Sequence, residues 1–179
     1  MIRAGIDIGS RSIECAILEN GKIKETRKTD TGFDPIRQAK KLIKDLSFDS
    51  ILATGYGRNL FEIEQDAATV TEIKAHARGA LYYFPEATTV LDIGGQDSKV
   101  IRLDQTGRVI RFEMNDRCAA GTGKFLEIMA QALGFTLSSF GSAAASAKKE
   151  LSINSMCTVF AESEVTSLVP RGERPEEIA

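Results

Sequence analysis

The feature that most constrains the fold of this chain is a short strand–turn motif that occurs twice. Residues 7–10 read Asp-Ile-Gly-Ser, and residues 92–95 read Asp-Ile-Gly-Gly. Each motif follows an apolar strand pattern and leads into a second one, so the pair is a two-strand unit repeated about half a chain apart. Glycine lets the backbone come close to a ligand, so that N–H groups face anionic oxygens. One such motif is equally well explained as an ordinary turn, but two in equivalent positions predict phosphate binding.

The chemistry of the two turns favours a nucleotide as the source of that phosphate. Asp7 and Asp92 carry the oxygen ligands that Mg²⁺ prefers, either directly or through its waters. Ser10 and Gln96 add hydrogen-bond donors. We expect the two motifs to face each other across a cleft and to clamp the phosphates. A Walker A loop is excluded, because residues 121–124 are followed by phenylalanine where serine or threonine is required.

Alternation, helical spacing and turn signals predict the surrounding elements. Strands are predicted over residues 2–8, 12–18, 22–28, 50–54, 88–92, 98–103 and 109–114. An Asn-Gly pair at residues 20–21 predicts a hairpin turn between the second and third strands. Helices are predicted over residues 33–46, 72–84, 124–133 and 157–168. Residues 175–179 have the pattern of a helix start, so we expect the sequence to stop where an element begins.

Composition excludes several classes of protein. With 42% hydrophobic and 27% charged residues among 179, the chain has the proportions of a globular protein. Its formal net charge of -2 argues against a dedicated nucleic-acid binder. No stretch approaches the roughly 18 apolar residues of a membrane span, and the start lacks the pattern of a secretory signal. We therefore expect a cytoplasmic protein without nucleic-acid or membrane partners.

The three cysteines are too far apart to indicate a disulfide framework or a CxxC pair. Cys118 and Cys157 both lie near the predicted start of a helix, where unpaired N–H groups stabilise a thiolate. Two thiolates do not complete a four-ligand metal or cluster site, but a two-fold dimer would supply the missing pair. The alternative, that both are small core residues, stays open. Cys15 lies in an apolar strand and is predicted to be a core residue.

Two other side chains receive simpler interpretations. His76, the single histidine, is predicted to be a hydrogen-bonded or surface group on a helix and not a ligand. Arg58 either closes the turn at Tyr56 or touches a partner, and the sequence does not decide between them.

Taken together, these motifs resemble the BadF/BadG/BcrA/BcrD ATPase family. Its best-known members activate 2-hydroxyacyl-CoA dehydratases, and related subunits occur in benzoyl-CoA reductases. The resemblance covers essentially the whole chain, and the motifs around Cys118 and Cys157 are its most specific parts. It is carried by residues 5–10, 54–58, 91–99, 114–123 and 155–165.

The resemblance implies an α/β protein with the actin-like ATPase fold (acetate kinase/Hsc70/actin, ribonuclease H-like), in which helices flank a mixed sheet. A first ribonuclease H-like lobe with the first phosphate hairpin is expected over residues 1–85. Residues 86–179 are expected to begin a second lobe, with the second phosphate hairpin and the cysteine motifs. Family chains continue through a lobe that carries the adenosine-binding motif, so we expect this one to be truncated.

The resemblance also implies the site residues. The catalytic groups would be Asp7, Asp92 and Gln96, with Gln96 positioning the attacking water. The nucleotide and Mg²⁺ would be bound by Asp7, Gly9, Ser10, Asp92, Gly94, Gly95, Gln96 and Asp97. Cys118 and Cys157 of each subunit would be the metal ligands, around one [4Fe–4S] cluster shared by a homodimer.

The function implied in this way is ATP-dependent electron transfer in an anaerobic metabolism. Reduced ferredoxin or flavodoxin would load the cluster, and ATP binding would change the angle between the two cluster-bearing helices. One low-potential electron would then pass to a 2-hydroxyacyl-CoA dehydratase or a benzoyl-CoA reductase.

Two other classes of function stay open. A sugar- or acid-kinase-like phosphotransferase of the same fold would need a substrate-binding insertion with a catalytic aspartate, which the sequence does not show. A non-catalytic actin-like interaction protein would have inert or zinc-binding cysteines.

Glu14 departs from the family pattern, since many members have lysine there. A carboxylate at this position repels phosphate, although Arg11 can offset that charge.

Overall fold

A mixed five-stranded sheet dominates the first half of the chain. The structure, a computed structural model, describes residues 1–115, 122–154 and 157–179. The strands of this sheet are β1 (Ile2–Ile8), β2 (Ser12–Glu19), β3 (Lys22–Asp30), β4 (Ser50–Thr54) and β5 (Ala68–Thr69). Their order is β3-β2-β1-β4-β5, with β1, β2 and β3 antiparallel and β4 parallel to β1 and β5. The predicted three antiparallel strands and one parallel strand are confirmed.

Alternation along β1 decides which face of the sheet is buried. Ala4, Ile6 and Ile8 are buried. Gly5 and Asp7 alternate with them and therefore lie on the opposite face of the strand. The turn between β2 and β3 has positive φ at both central residues, 53° and 78°. A type I′ hairpin turn requires this conformation, so the predicted Asn-Gly turn is confirmed.

Three helices accompany this sheet: α1 (Pro35–Ile43), α2 (Arg58–Gln65) and α3 (Glu72–Tyr83). The first helix begins at Pro35, two residues later than predicted, and the Asp34 carboxylate accepts a hydrogen bond of 3.0 Å from the Arg37 N–H. The sequence patterns do not predict α2, because it is only eight residues long and has no side-chain cap. It is held instead by tertiary packing, since Phe61 is fully buried against the sheet.

A three-stranded sheet and four helices form the rest of the described chain. The strands are β6 (Thr89–Ile93), β7 (Ser98–Leu103) and β8 (Val109–Asn115), in the order β6-β7-β8. The helices are α4 (Gly123–Ala132), α5 (Leu137–Ala145), α6 (Thr158–Leu168) and α7 (Pro175–Ile178). All the predicted strands and helices are present, with small differences at their ends.

Helix α5 is an addition to the predicted elements. Its sequence of serines, alanines and one glycine lacks an amphipathic pattern, so the sequence gives little sign of it. The helix begins at a capping box, in which Thr136 and Ser139 exchange hydrogen bonds between side chain and backbone. Phe140 then anchors the helix in a core shared with Met129 of α4 and Val165 of α6.

Two compact units are distinguished within the described residues. The first comprises residues 1–90 and 101–112, and the second comprises residues 91–100 and 113–179. The expected division into lobes of residues 1–85 and 86–179 stays a prediction. No helix in the described part of the chain combines the length and apolar character that crossing a membrane requires.

Candidate functional site

The two Asp-Ile-Gly motifs form turns with the same hydrogen bond. In the first, the Gly9 N–H donates to the Ser12 carbonyl at 3.1 Å, and in the second the Gly94 N–H donates to the Asp97 carbonyl at 2.8 Å. A Cβ atom on Gly9 would lie 2.8 Å from the Ser12 oxygen, and one on Gly94 would lie 3.1 Å from the Asp97 oxygen. Gly9 is therefore required because the backbone folds back closely on itself, and Gly94 leaves room for a similarly close approach. The sequence repeat is also a structural repeat.

Asp7 is the residue before the last one of β1. One oxygen of its carboxylate has no hydrogen-bond partner among the described residues. In the sheet it is paired with Glu14 of β2 on one side and with Thr54 of β4 on the other. The Oδ1 atom of Asp7 and the Oγ1 atom of Thr54 are both buried, and neither has a hydrogen-bond partner in the described part of the chain. Both residues line a cavity of about 710 Å³, together with His76. Two buried oxygens without partners, on paired positions of neighbouring strands, are suited to a bound cation or water.

The turn after β4 presses directly on the end of β1. Gly55 has φ +90°, and a Cβ atom there would overlap Oδ1 of Asp7 and lie 2.5 Å from the Ile8 carbonyl oxygen. The Gly57 N–H donates to that carbonyl at 2.9 Å. Arg58 donates from Nη1 to the Gly55 carbonyl at 3.0 Å, so within the described residues it closes the turn. The motif at residues 54–58 thus packs against the carboxylate of the first Asp-Ile-Gly motif.

Glu14 has a cation beside it on the neighbouring strand. Lys28 of β3 is its partner in the sheet register, and the Lys28 Nζ lies 2.9 Å from Glu14 Oε1. The Ser12 hydroxyl donates to the same oxygen at 2.6 Å. Part of the negative charge that the sequence places near the first motif is therefore offset by Lys28, a residue that the sequence analysis did not single out. Ser10, at the tip of the turn, is exposed.

The second motif contains a buried lysine between two carboxylates. The Lys99 side chain is only 4% exposed, and its Nζ lies 3.2 Å from Oδ2 of Asp92 and hydrogen-bonds Oδ1 of Asp97. A buried charge of this kind is tolerated only when it is paired, so Lys99 and the two aspartates form one unit. Gln96 is exposed at the tip of the same turn.

Helix α4 begins on the carbonyl groups of the second turn. The Gly123 N–H donates to the Gly94 carbonyl at 2.8 Å, and the Lys124 N–H donates to the Gly95 carbonyl at 3.1 Å. The first N–H groups of a helix lack partners within the helix, and here two of them are satisfied by the turn. A Cβ atom on Gly123 would lie 3.2 Å from the Gly94 oxygen, so glycine also permits this approach.

The cysteines fall into different environments. Cys118 lies outside the described residues. Cys157 is the N-cap residue of α6, is partly exposed, and makes no side-chain capping hydrogen bond. Cys15 is buried in the first core, as predicted, and burial raises the pKa of its thiol. Within residues 1–115, 122–154 and 157–179, no three His, Cys, Asp or Glu side chains are grouped closely enough to hold a metal ion.

The segment before Cys157 is tied to the helix that follows it. The backbone N–H of Asn154 donates a hydrogen bond of 2.5 Å to Oε2 of Glu164, a residue of α6. The next residue of α6, Val165, packs in a core with Met129 of α4. The helix that carries Cys157 and the helix that follows Cys118 therefore share a hydrophobic core.

Comparison with known proteins decides the family. A profile of the BadF/BadG/BcrA/BcrD ATPase family matches residues 4–179. The chain belongs to this family. It is 41% identical over 188 residues to the 2-hydroxyisocaproyl-CoA dehydratase activator of Clostridioides difficile, covering 99% of this chain and 70% of that protein. It is 34% identical over 185 residues to a subunit of the benzoyl-CoA reductase of Thauera aromatica, covering 96% of this chain and 64% of that protein.

A solved structure agrees with this assignment. The activator of the 2-hydroxyisocaproyl-CoA dehydratase from Clostridium difficile, with bound ADPNP, matches with a TM-score of 0.86 at 41% identity. The match covers 99% of this chain and 69% of that one. The family is one of ATPases, and the expected actin-like ATPase fold with a mixed sheet flanked by helices is confirmed.

The structure identifies site features that the sequence analysis missed. Lys99 follows Asp92 by the same seven residues that separate Glu14 from Asp7, so an alignment of the repeat would have flagged it. The Thr54 hydroxyl has no hydrogen-bond partner among the described residues. The sequence carries no signal of this, because the position of Thr54 next to β1 depends on the register between β1 and β4. The site roles assigned to the two motifs and to the cysteines stay predictions.

Replacing Gly55 by alanine should displace the Asp7 carboxylate. We expect a loss of more than about 2 kcal/mol in the free energy of unfolding, because backbone strain and a steric overlap add together. Gly21→Ala is the matched control, since Gly21 has φ +78° but open space around its Cβ position. That control should cost only about 1 kcal/mol of backbone strain. Urea unfolding measures both, and equal losses would show that no overlap with Asp7 exists.

Removing the buried lysine should destabilise the second motif. We expect Lys99→Met to cost about 3 kcal/mol or more in urea unfolding, because two carboxylates are left together without their cation. Lys124→Met is the control, since its pair with Glu127 is exposed and should contribute at most about 0.5 kcal/mol. Adding Asp97→Asn to Lys99→Met should recover part of the loss. A double variant no more stable than the single one would contradict the ion-pair explanation.

Proposed function

We propose that this protein is an ATP-dependent activator that donates a low-potential electron to a 2-hydroxyacyl-CoA dehydratase or benzoyl-CoA reductase. Two relatives support this proposal. One is a dehydratase activator that is 41% identical to this chain, and the other is a benzoyl-CoA reductase subunit that is 34% identical. The observation that carries the proposal is the pair of hydrogen bonds from the first turn of α4 to the Gly94 and Gly95 carbonyls. They connect the second Asp-Ile-Gly motif directly to α4, the helix that follows Cys118 in the sequence.

ATP and Mg²⁺ are the ligands proposed for the two motifs. An ADPNP-bound relative supports the nucleotide. The residues present fit Mg²⁺, because Oδ1 of Asp7 and the Thr54 hydroxyl, both without a partner among the described residues, belong to paired positions of β1 and β4 and are hard oxygen ligands. The N–H groups of Gly9 and Gly94 close their own turns, so the N–H groups of the residues that follow them would face the phosphates. Gln96, which is exposed, would orient the water that attacks the terminal phosphoryl group.

A [4Fe–4S] cluster held between two copies of the chain is proposed for the cysteines. Cys157 fits as a ligand, because it is a partly exposed thiol at the N-terminus of a helix and its side chain makes no capping hydrogen bond. Cys118 is proposed as the second ligand from its sequence motif. When bound, the cluster would supply one-electron chemistry at low potential. Val159 and Phe160, beside Cys157, are 65% and 62% exposed, which supports burial of this helix end in a homodimer.

The described contacts give a physical route from nucleotide to cysteines. A change in the position of the Gly94 and Gly95 carbonyls on phosphate binding would be transmitted to the first turn of α4. Helix α4 and helix α6 share a packed core, and close-packed cores transmit small shifts. In this proposal, reduced ferredoxin or flavodoxin supplies the electron, and the movement of α4 and α6 governs its delivery to the dehydratase or reductase.

Iron content tests the cysteine assignment. Protein purified without oxygen should be brown and contain about four irons per dimer. Cys118→Ala and Cys157→Ala should each remove the iron and the colour, because each thiolate is a ligand. Cys15→Ala is the control and should keep both, since Cys15 lies in the core. Colourless protein that reconstitution does not load with iron would contradict the proposal.

The coupling has a separate test in Lys124→Pro. Proline is tolerated in the first turn of a helix and removes the N–H that binds the Gly95 carbonyl. We expect iron content and nucleotide affinity to be kept, while the effect of Mg-ATP on the rate of iron removal by a chelator is lost. Ser138→Pro, in the first turn of α5, is the matched control and should behave as the wild type. A nucleotide effect that survives Lys124→Pro would contradict this route.

A further inference from the structure

The two phosphate motifs hold their aspartates in different ways. In the second motif, the return strand β7 provides Lys99, whose Nζ lies 3.2 Å from Oδ2 of Asp92. The equivalent position on return strand β2 is Glu14, which cannot serve as a cation for Asp7. The first aspartate therefore lacks from its own hairpin the partner that the second one has.

Helix α3 brings a different side chain to that aspartate. Nε2 of His76 lies 3.7 Å from Oδ2 of Asp7, within ion-pair range but longer than a hydrogen bond. Both side chains are about one-third exposed, at 29% for His76 and 32% for Asp7. Hydrogen bonds in ligand-free sites are often long and shorten when the ligand is bound.

The position of His76 is fixed by the packing of its helix. The neighbouring Ala77 is buried in an apolar cluster with Ile101 and Leu103. Ile73 and Leu81, one turn on either side of Ala77, pack against the same cluster, so α3 is held along a stripe adjacent to His76. The imidazole is thus presented to the end of β1 by a packed helix and not by a loop.

The two oxygens of Asp7 have separate surroundings. Oδ2 faces His76, whereas Oδ1 is buried beside Gly55 without a hydrogen-bond partner among the described residues. A contact to Oδ2 restricts rotation of the carboxylate and so fixes the direction of Oδ1. Gly55 packs closely against Oδ1, since a Cβ atom at this position would overlap that oxygen.

We propose that His76 is a positioning residue of the first phosphate motif: it holds Oδ2 of Asp7, as Lys99 holds Asp92, and thereby directs Oδ1 toward the Mg²⁺–nucleotide. This inference rests on the proposed function, because it assumes that the first motif binds that ligand. His76 contacts neither nucleotide nor ion in this role. Its loss should weaken binding of the Mg²⁺ complex more than binding of nucleotide alone.

Nucleotide titrations of the full chain test the role. A fluorescent ATP analogue is titrated with and without Mg²⁺. His76→Ala should weaken binding of the Mg²⁺ complex about tenfold, the equivalent of one hydrogen bond to a charged group, and should change Mg²⁺-free binding little. His76→Gln keeps an N–H donor and should recover most of the affinity. Arg78→Ala, an exposed cation on the same helix, should behave as the wild type.

Nuclear magnetic resonance tests the contact independently of nucleotide. His76 is the only histidine, so its imidazole nitrogen signals are assigned without ambiguity. Asp7→Asn should shift the Nε2 signal, whereas Asp66→Asn, at an exposed carboxylate, should not. Thermal unfolding of each variant confirms that it is folded.

The outcomes separate this inference from the function on which it rests. An unchanged Nε2 signal in Asp7→Asn overturns the inference whatever the binding data. If the wild type binds the Mg²⁺ complex and His76→Ala binds it equally well, the inference is overturned and the proposed function is not. A wild-type chain that binds no nucleotide contradicts the proposed function and overturns the inference with it. A shifted signal together with a Mg²⁺-specific loss that His76→Gln reverses supports it.

Discussion

The hydrogen bonds between the second Asp-Ile-Gly turn and the start of α4 are the contact on which the second unit depends. A helix needs partners for its first N–H groups, and a glycine-rich turn has carbonyl groups to offer. The same two bonds satisfy both needs, and Gly123 leaves the space that they require. The core shared by α4, α5 and α6 then extends this anchored position to the N-cap residue Cys157.

The repeat shows how one backbone design carries two electrostatic solutions. Both turns are closed by the same glycine N–H bond, so their backbones are equivalent. The second hairpin balances its carboxylates internally through a buried lysine. The first distributes its charges over three elements, with Glu14 balanced by Lys28 of β3 and Asp7 approached by His76 of α3. A repeat of chain geometry therefore does not require a repeat of charge.

Most of the fold could be predicted from the sequence because its signals are local. Apolar alternation specifies the strands, and the Asn-Gly pair specifies the first hairpin. Helices α2 and α5 could not be predicted in the same way. Each is short and is stabilised by one buried aromatic side chain, Phe61 or Phe140, whose partners are distant in sequence.

The site divides along the same line. Glycine spacing and helix-start cysteines are visible in the sequence, so the motifs could be found. The contacts between elements were not visible in the sequence. The approach of His76 to Asp7 and the packing of Gly55 against that carboxylate depend on the tertiary structure. Sequence thus indicated the candidate site residues, and the fold added which residues lie against them.

The different burial of the charges gives ionic strength a selective effect. Glu14 and Lys28 are exposed, with 43% and 69% of their side-chain surfaces accessible, so dissolved ions screen their attraction. Lys99 lies out of reach of solvent, and its attraction to the two aspartates is much less screened. Added salt therefore loosens the charge balance of the first hairpin while leaving that of the second nearly intact. The two halves of the repeat therefore differ in how strongly dissolved salt weakens the attraction between their charged side chains.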